Sequence, residues 1–360
     1  QDNANVLIDN NYHPGITGPD FPDGRISFFG PYDGFGGNDF CGVKIQNSYF
    51  SGGFKDGIYI VGPQGIKIIN NTFVNMGPGA YQGTGDGPHT DGVQCVGGCQ
   101  LTLDHNYFGH SGLGQMQGFG CFDGCDREQI TNNVFDLGAG ASFETLTLAS
   151  DYDSFVDHNT LATGVTCVYT VPCGQIQLGH KPPAPDCDAT CSDPSEKTTI
   201  TNNIAAGISV RTNDRTGDTA GLIDYNLVTG GVSGIPADNI GTHNIDGSAT
   251  YVGPPSGKST TAFNSFSAYA LAAGSLGKNT GSSNKDIGAD FSGTTTPPPP
   301  TCTKQPDINC DNAVNVTDLS ILLSNYGKTT AQLASSTPSY PKADINTSGK
   351  VDIADLSALL

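Results

Sequence analysis

The sequence predicts an all-β solenoid followed by a small α-helical domain. Three observations lead to this prediction. A short alternating string that contains a polar corner recurs along the first two thirds of the chain. A proline-rich stretch then occupies residues 292–303, and two acidic stretches of matching pattern follow it. We therefore divide the chain into a β domain at 1–291, a linker at 292–303 and a second domain at 304–360.

The repeated string consists of a short strand, a polar corner and a second short strand. Its apolar and polar residues alternate, as in strands with one buried face, and Leu-Thr-Leu-Asp-His-Asn-Tyr-Phe at 101–108 is typical. The equivalent corner residues are Asn11, Ser48, Asn71, Asn106, Asn133, Asn159, Asn203 and Asn226. The shortest separation between them is 23 residues, and a unit of that size with variable insertions is typical of a solenoid. Asparagine tolerates a left-handed backbone and can stack its amide on the asparagine of the next coil.

These strings resemble the right-handed parallel β-helix of the pectin-lyase-like family of secreted carbohydrate-active proteins. The resemblance covers most of residues 1–291, and residues 268–275 and 286–289 look like the closing segment of such proteins. It implies a right-handed parallel β-helix and does not by itself select an activity. Leucine-rich repeats are the rival solenoid, but the sequence has no leucine ladder at the period that they require.

Two twelve-residue stretches in the second domain have the spacing of loops that bind Ca²⁺. Residues 307–318 and 344–355 both place oxygen-bearing side chains at positions 1, 3, 5, 9 and 12. Ca²⁺ takes about six to eight oxygen ligands, which such a loop supplies. Leucines at helical spacing follow each stretch, so a loop–helix unit is predicted twice.

Residues 304–360 thus resemble a type I dockerin, a small α-helical module that docks onto a cohesin module on a scaffold or cell surface. The resemblance implies two bound Ca²⁺ ions and a cohesin-bearing partner. The ligands that it implies are Asp307, Asn309, Asp311, Asn315 and Asp318 in the first loop, and Asp344, Asn346, Ser348, Lys350, Asp352 and Asp355 in the second. Lys350 would contribute its backbone carbonyl. The alternative is a pair of acidic surface loops without an ion.

The charge balance excludes two classes of partner. The chain has 360 residues and a formal net charge of −19. Nucleic acids and anionic membranes attract lysine and arginine, so neither is an expected partner. The sequence also lacks an apolar run of the roughly 18–20 residues that a membrane span needs.

Eleven cysteines indicate an oxidising compartment, and we expect a secreted or cell-surface protein. The spacing predicts local disulfides with the pairs Cys95/Cys99, Cys121/Cys125, Cys167/Cys173, Cys187/Cys191 and Cys302/Cys310. Cys41 is then left over. A metal site built from cysteines is the alternative, but no histidine follows at zinc-finger spacing.

A second strand precedes each corner string, and these strands align in two columns. Asp56, Asp91, Gln117 and Glu144 fall in one column, and Tyr59, Gln94, Gly120 and Thr147 fall in another that faces outward. Coils of a parallel solenoid stack about 4.8 Å apart, so we expect Asp56 and Asp91 to be neighbours and Asp91 and Glu144 to lie two coils apart. Such separations approach those of glycosidase carboxylates. A Ca²⁺ site is an equally suitable use of crowded carboxylates.

The insertion before Asp91 is the richest candidate for substrate binding. Residues 83–94 include His89 in the string His-Thr-Asp-Gly-Val-Gln, which distantly resembles the Asn-Thr-Asp-Gly of polygalacturonases. A long loop over the face of a solenoid is a common way to build a groove. We predict that His89, Gln94, Tyr59 and Lys55 bind substrate.

The leading functional hypothesis is a glycoside hydrolase that acts on a polysaccharide in this groove. Asp91 would form the acid/base pair with Glu144 or Asp56. The second hypothesis is a non-catalytic protein that binds carbohydrate or serves as a rigid surface spacer. The third is a polysaccharide lyase, for which Lys55 and Arg127 are the available cations.

Overall fold

The computed structural model describes residues 6–13, 24–29, 43–51, 56–62, 65–74, 90–97, 100–109, 116–122, 124–137, 145–162, 174–179, 196–210, 221–253, 266–291, 306, 308, 314, 316–334 and 343–359. The chain divides into two compact units. One comprises Gln1–Asn11 and Gly15–Pro297, and the other comprises Tyr12–Pro14 and Pro298–Leu360. The predicted linker at 292–303 lies outside the described residues, and its bounds stay a prediction.

Three parallel sheets make up the first unit. Sheet A contains β1 (Val6–Asp9), β4 (Val43–Gln46), β7 (Lys67–Ile69), β10 (Thr102–Asp104), β13 (Gln129–Thr131), β16 (Phe155–Asp157), β19 (Thr199–Thr201) and β22 (Ile223–Asp224). Sheet B contains β2 (Tyr12–His13), β5 (Tyr49–Ser51), β8 (Thr72–Val74), β11 (Tyr107–Gly109), β14 (Val134–Asp136), β17 (Thr160–Leu161), β20 (Ile204–Ala205), β23 (Leu227–Val228) and β25 (Ile245–Asp246). Sheet C contains β3 (Gly24–Phe29), β6 (Asp56–Val61), β9 (Thr90–Val96), β12 (Met116–Phe122), β15 (Leu146–Ala149), β18 (Gln175–Gly179), β21 (Gly207–Val210) and β24 (Val232–Ser233).

Each coil passes from sheet A to sheet B to sheet C, so β10, β11 and β12 belong to one coil. Neighbours within a sheet come from successive coils, and every described strand pair of the three sheets is parallel. The predicted parallel β-helix is thereby confirmed. Its right-handedness stays a prediction.

Columns of similar side chains fill the interior of the solenoid. Phe50, Phe73, Phe108 and Phe135 share one register position in sheet B. Their ring centroids are separated by 4.5, 4.7 and 4.7 Å in order, as expected for parallel strands about 4.8 Å apart. Sheet A adds the buried residues Ile45, Ile68, Leu103, Ile130, Val156, Ile200 and Ile223, and sheet C adds Ile60, Cys95, Cys121, Leu148 and Leu178. The alternating residues of the strings therefore build the core.

An asparagine ladder holds the corner between sheets A and B. The backbone N–H of Asn106 donates to Oδ1 of Asn133 at 2.9 Å, and the equivalent bond recurs along the coils. The predicted amide stacking is confirmed. The left-handed backbone, however, belongs to the residue before each ladder position, because a tight corner needs it there. These residues have φ between 51° and 57° and are Asn10, Asn47, Asn70, His105, Asn132, His158, Asn202 and Tyr225.

Residues 266–291 lie against the outer face of sheet B. The hydroxyl of Tyr269 donates to Oδ2 of Asp136 at 2.6 Å. Near the other end of this segment, the carbonyl oxygen of Asp290 lies 3.0 Å from Nε2 of His105. Apolar side chains of the segment pack on outward-facing residues of sheet B, with Phe266 and Tyr269 buried among them. This outer face of the solenoid is therefore covered by the chain itself.

Three helices form the described part of the second unit, α1 (Val316–Ser324), α2 (Thr330–Ala334) and α3 (Ile353–Leu359). Helices α1 and α3 begin near the ends of the two twelve-residue stretches, where the apolar spacing predicts them. Helix α2 lies in the connection between the two twelve-residue stretches. The core of this unit contains Ile308, Leu322, Leu333, Ala343, Ile345, Val351 and Leu359. In the described part of the chain, every helix is too short or too polar to cross a membrane.

The described cysteines support the disulfide prediction where it can be compared. Cys121 and Cys125 form a disulfide, which confirms that pair. Cys95 is also disulfide-bonded, and its partner lies outside the described residues. The pairs Cys167/Cys173, Cys187/Cys191 and Cys302/Cys310, together with Cys99 and Cys41, lie outside the described residues as well.

Candidate functional site on sheet C

The outer face of sheet C carries a column of uncharged polar residues. Register pairs join Ser27, Tyr59, Gln94, Gly120, Thr147, Gln177, Ser209 and Ser233 across successive coils. We call this set the polar column. The predicted alignment of Tyr59, Gln94, Gly120 and Thr147 is confirmed, and the column extends beyond it in both directions.

Asp56, Asp91 and Gln117 occupy a second column, which we call the acid column. Asp91 and Gln117 are register partners. The acid column lies three residues before the polar column, and simple alternation would put the two on opposite faces of the sheet. A further feature is therefore needed to bring them to one face.

A bulge in the coil of Gln117 brings the two columns to the same face. The amides of Gly118 and Phe119 both donate to the carbonyl oxygen of Thr145, at 3.0 and 3.2 Å, as in a β-bulge. Both residues face the interior, because Phe119 is fully buried in the core and a Cβ on Gly118 would lie 2.2 Å from the ring of Phe135. Two successive inward residues turn Gln117 and Gly120 outward together.

The same arrangement explains the Asp-Gly pairs of the preceding coils. A Cβ on Gly57 would lie 2.8 Å from the ring of Phe73, and one on Gly92 would lie 2.4 Å from that of Phe108. Glycine is required at these positions because the phenylalanine stack of sheet B reaches across the interior to the backbone.

Asp56 and Asp91 lie next to each other and are shielded from solvent. Their exposed fractions are 4% and 0%. The backbone N–H of Asp91 donates to Oδ1 of Asp56 at 2.7 Å. Asp56 thus stabilises the backbone of the next coil, whatever else it does. The catalytic assignment of Asp56, Asp91 and Glu144 stays a prediction, because Glu144 lies outside the described residues.

Two of the four predicted substrate-binding residues can be placed. Tyr59 and Gln94 are register neighbours on the outer face of sheet C, and both are half-buried. The ring of Tyr59 lies 5.9 Å from that of Phe29, whose side chain is exposed. His89 and Lys55 lie outside the described residues.

Sheet C is also where the coils differ in length. Two residues join sheet A to sheet B in each coil from β1 to β23. The long connections all begin or end at a strand of sheet C, and they are 14–23, 30–42, 75–89, 162–174, 180–198 and 211–222. Variable connections around a constant scaffold are where binding sites are usually built, so sheet C is the favoured face for a site.

A group of buried carboxyls at the corner from sheet C to sheet A was missed by the sequence analysis. Asp126, Glu128 and Asp151 are at most 4% exposed. Oε2 of Glu128 accepts a bond of 2.8 Å from the amide of Leu101 in the preceding coil. The amide of Glu128 in turn donates to Oγ of Ser154 in the following coil, also at 2.8 Å.

Hydroxyl groups complete this acid corner, which we define as Asp126, Glu128, Asp151, Ser154 and Thr198. The hydroxyls of Ser154 and Thr198 both donate to the carboxyl of Asp151. The signal in the sequence is a polar residue directly before three consecutive sheet A strands, at Glu128, Ser154 and Thr198. Turn residues surround these three positions, so the sequence does not set them apart from ordinary turns.

Burial dominates the protonation of the acid corner. Removal from water raises the pKa of Glu128 well above its ordinary value, and the charge of Asp151 adds to the effect. Removal from water likewise raises the pKa of Asp151 to about 7, against the opposing effect of the Ser154 and Thr198 hydrogen bonds. The acid corner therefore holds protons that ordinary carboxyls would lose.

Cys95, Cys121 and Glu128 bring one ligand atom each within 4.8 Å of one another, all fully buried. This is the one such group of histidine, cysteine or acidic residues among the described residues. Both cysteines are in disulfides, and a metal is bound by the thiolate form of cysteine. The group therefore serves the core and does not fit a metal.

The second twelve-residue stretch forms a loop in which backbone amides donate to two of its aspartates. The amides of Ser348 and Gly349 donate to the two carboxyl oxygens of Asp344 at 2.9 and 2.8 Å. Asp355 closes the loop by accepting from the amides of Asn346 and Asp352, at 3.0 and 2.8 Å. Gly349 has φ of +96° at the sixth loop position, where a Ca²⁺ loop turns sharply.

The side chains of this loop carry oxygen atoms at positions 1, 3, 5, 9 and 12, and a hard cation prefers oxygen ligands. Asp344, Asp352 and Asp355 nevertheless do not all bring an oxygen within 4.8 Å of one another in the described structure. Of the five ligands predicted in the first stretch only Asp318 is described, and its Oδ1 accepts from the amide of Ile308 at 2.7 Å. Asp307, Asn309, Asp311 and Asn315 lie outside the described residues.

In comparisons of the sequence with known proteins, no family model and no curated protein matches the chain.

Proposed function

We propose that this is a secreted polysaccharide-active protein, and that it is a glycoside hydrolase with its groove on the outer face of sheet C. The observation that carries the proposal is the bulge, which aligns the acid column and the polar column on one face. Carboxyls and amides at the floor of a groove are what hydrolysis of a glycosidic bond requires.

Asp91 is the central residue of the proposed site. Asp56 is one coil away from it, about 4.8 Å along the stack, which approaches the separation of about 5–5.5 Å used in hydrolysis with retention. Glu144, two coils away, would match hydrolysis with inversion, for which about 6.5–9.5 Å is used. In either case one carboxyl protonates the leaving oxygen, and the other acts as nucleophile or activates water.

The Asp91→Asn variant tests this proposal. We expect it to abolish the release of reducing ends from a polysaccharide panel and to leave the melting temperature nearly unchanged, because asparagine has the shape of aspartate. Asp153→Asn is the control, since Asp153 is exposed at the opposite border of sheet C. Full activity of Asp91→Asn would remove the catalytic assignment.

A non-catalytic carbohydrate-binding role is the second candidate, and the engagement of Asp56 with the backbone favours it. Binding of a polysaccharide without release of reducing ends would select it. The lyase hypothesis has less support, because Arg127 pairs with Asp126 at 3.1 Å in the acid corner, away from the acid column. Unsaturated products that absorb in the ultraviolet would select a lyase.

We also propose that the second unit is a Ca²⁺-dependent docking module for a cohesin-bearing partner. The loop conformation around Gly349 supports two Ca²⁺ sites formed by the residues of the two stretches. Ca²⁺ would supply the charge that draws the loop carboxylates together. The exposed side chains of Leu323, Tyr326 and Ile353 offer an apolar surface to the partner.

Chelation tests the calcium proposal on the full chain. EDTA should remove the far-ultraviolet signal of the helices, and Ca²⁺ should restore it, because the loops and helices form one hydrophobic core. The thermal transition of the solenoid serves as the internal control and should not move. Unchanged helical signal in EDTA would count against bound ions.

A further inference from the structure

The polar column of sheet C carries no charge over its described length. Its members offer hydroxyls, amides, one aromatic ring and one glycine. Amides and hydroxyls both donate and accept hydrogen bonds, as sugar hydroxyls do. A polysaccharide rich in carboxylates would instead need cations, and the chain as a whole has a net charge of −19.

Gly120 leaves a gap in the column between two polar side chains. Its register neighbours are Gln94 in the preceding coil and Thr147 in the following one. Those two residues are therefore about 9–10 Å apart along the stack, with only backbone between them. The column itself therefore places no side chain between Gln94 and Thr147.

Thr147 has a buried hydroxyl that no described residue uses. Its side chain is 6% exposed, and its Oγ1 has no hydrogen-bond partner among the described residues. Threonines on the outer face of sheet A differ, because Thr131 and Thr201 donate to Asp104 and Asp157 at 2.6 Å each. Buried polar groups without a partner are rare in folded proteins. Because the hydroxyls of Thr72 and Thr90 share this property among the described residues, the significance of Thr147 rests on its place in the polar column.

Gln117 also has a buried polar atom of this kind. It belongs to the acid column and lies in the same coil as Gly120. It is 6% exposed, and its Oε1 has no hydrogen-bond partner in the part of the chain that the structure describes. The bulge at Gly118 turns Gln117 to the same face as Gly120. Two unused polar groups thus lie in adjacent coils of one outer face.

We propose that the polar column from Tyr59 to Gln177 binds an uncharged polysaccharide, with a sugar ring lying over Gly120 and hydrogen-bonded to Gln94 and Thr147. This inference rests on the proposed function and adds to it the substrate class and the place of one subsite. The rings of Tyr59 and Phe29 provide a stacking surface at one end of the column. Gln177, at 9% exposure, provides an amide at the other.

The Thr147→Val variant separates this proposal from a structural role. Valine keeps the shape of threonine and removes a hydroxyl that has no partner in the free protein, so the melting temperature should stay the same or rise. Binding should weaken about five- to tenfold, as expected for the loss of one hydrogen bond to ligand. Thr201→Val is the matched control, which should lower the melting temperature and leave binding unchanged.

Affinity electrophoresis of the full chain gives the measurement. The gels contain hydroxyethylcellulose, glucomannan or arabinoxylan as uncharged polymers, and polygalacturonate or alginate as anionic ones. Retardation by at least one uncharged polymer that weakens in Thr147→Val supports the proposal. Retardation by anionic polymers alone, by none, or equally in both proteins overturns it.

The same experiment distinguishes this inference from the proposed hydrolase. Retardation by an uncharged polymer without release of reducing ends would remove the hydrolase and keep the binding site. Cleavage that is confined to anionic polymers would keep the hydrolase and remove the inference about substrate class.

Discussion

At two corners of the solenoid, side chains of one coil bond backbone amides of the neighbouring coil, and the two corners use different kinds of side chain. At the corner between sheets A and B, backbone amides are bonded by the neutral side chains of the asparagine ladder. At the corner from sheet C to sheet A, backbone amides are bonded by carboxyl and hydroxyl groups of the acid corner. Both sets of side chains are buried and both link successive coils.

The two corners differ in how their contribution to stability depends on pH. The asparagine ladder repeats in every coil with the same two-residue connection, and amide side chains do not titrate. The acid corner adjoins connections of variable length and holds groups that must keep a proton to remain buried. We infer that the ladder provides stability at any pH, whereas the acid corner makes stability depend on pH.

We expect the largest loss of stability when a carboxyl, as in the acid corner, replaces an amide of the asparagine ladder. Asn133→Asp keeps the shape of the ladder residue but replaces Nδ2, which donates to the carbonyl of Leu103 and to Oδ1 of Asn159. At neutral pH the new carboxylate is buried against two acceptors, and we expect a loss of about 5 kcal/mol of unfolding free energy. Denaturant unfolding of the solenoid, followed by far-ultraviolet circular dichroism, measures it.

The pH dependence and a serine variant control that prediction. Protonation restores a donor, so Asn133→Asp should recover stability as the pH falls toward 4. Asn133→Ser should lose less, about 1–2 kcal/mol, because Ser48 already serves as a ladder position and accepts from the amide of Asn11 at 3.2 Å. Equal losses in both variants at all pH values would contradict the comparison.

A smaller effect is expected from the acid corner itself. The pKa of Asp151 is raised from 3.8 to about 7. The stability of the native protein should therefore be greatest below pH 4 for this group and should decline as the pH rises to about 7. The decline corresponds to roughly 4 kcal/mol if Asp151 acts alone. Asp151→Asn should flatten this part of the curve, because asparagine does not ionise.

The exposed neighbour provides the control for Asp151. Asp153→Asn lies in the same turn and should leave the slope of unfolding free energy against pH unchanged. Glu128 still titrates in Asp151→Asn and contributes to the remaining slope, together with Asp104, Asp157 and Asp224, whose pKa values are lowered. A slope that is identical in the native protein and in Asp151→Asn would show that the acid corner does not control the pH response.

The asparagine ladder was predictable from the sequence and the acid corner was not. Ladder residues recur at one position of an alternating string, so the string itself places them. In the acid corner, Glu128, Ser154 and Thr198 share a position but differ in residue type, and Asp126 and Asp151 lie in turns where acidic residues are common for other reasons.

The candidate site on sheet C was likewise only partly predictable from the sequence. The columns were predicted in correct register because Asp91 and Gln94 lie on a strand whose coil partners are readable. Their common face depends on the bulge, which depends in turn on the phenylalanine stack that occupies the space beside Gly92 and Gly118. The burial of Asp56 and Asp91 also required the coils to be assembled.

The amino-acid sequence by itself determined the coil, since alternation of apolar residues and a recurrent asparagine allow one way to bury the strands. It also determined the loop–helix order of the second unit, since oxygen-bearing residues at set intervals precede leucines at helical spacing. Only the tertiary structure decided which side chains face outward and which carboxyls lose contact with water. Those properties depend on residues far apart in the chain, whose packing no local pattern records.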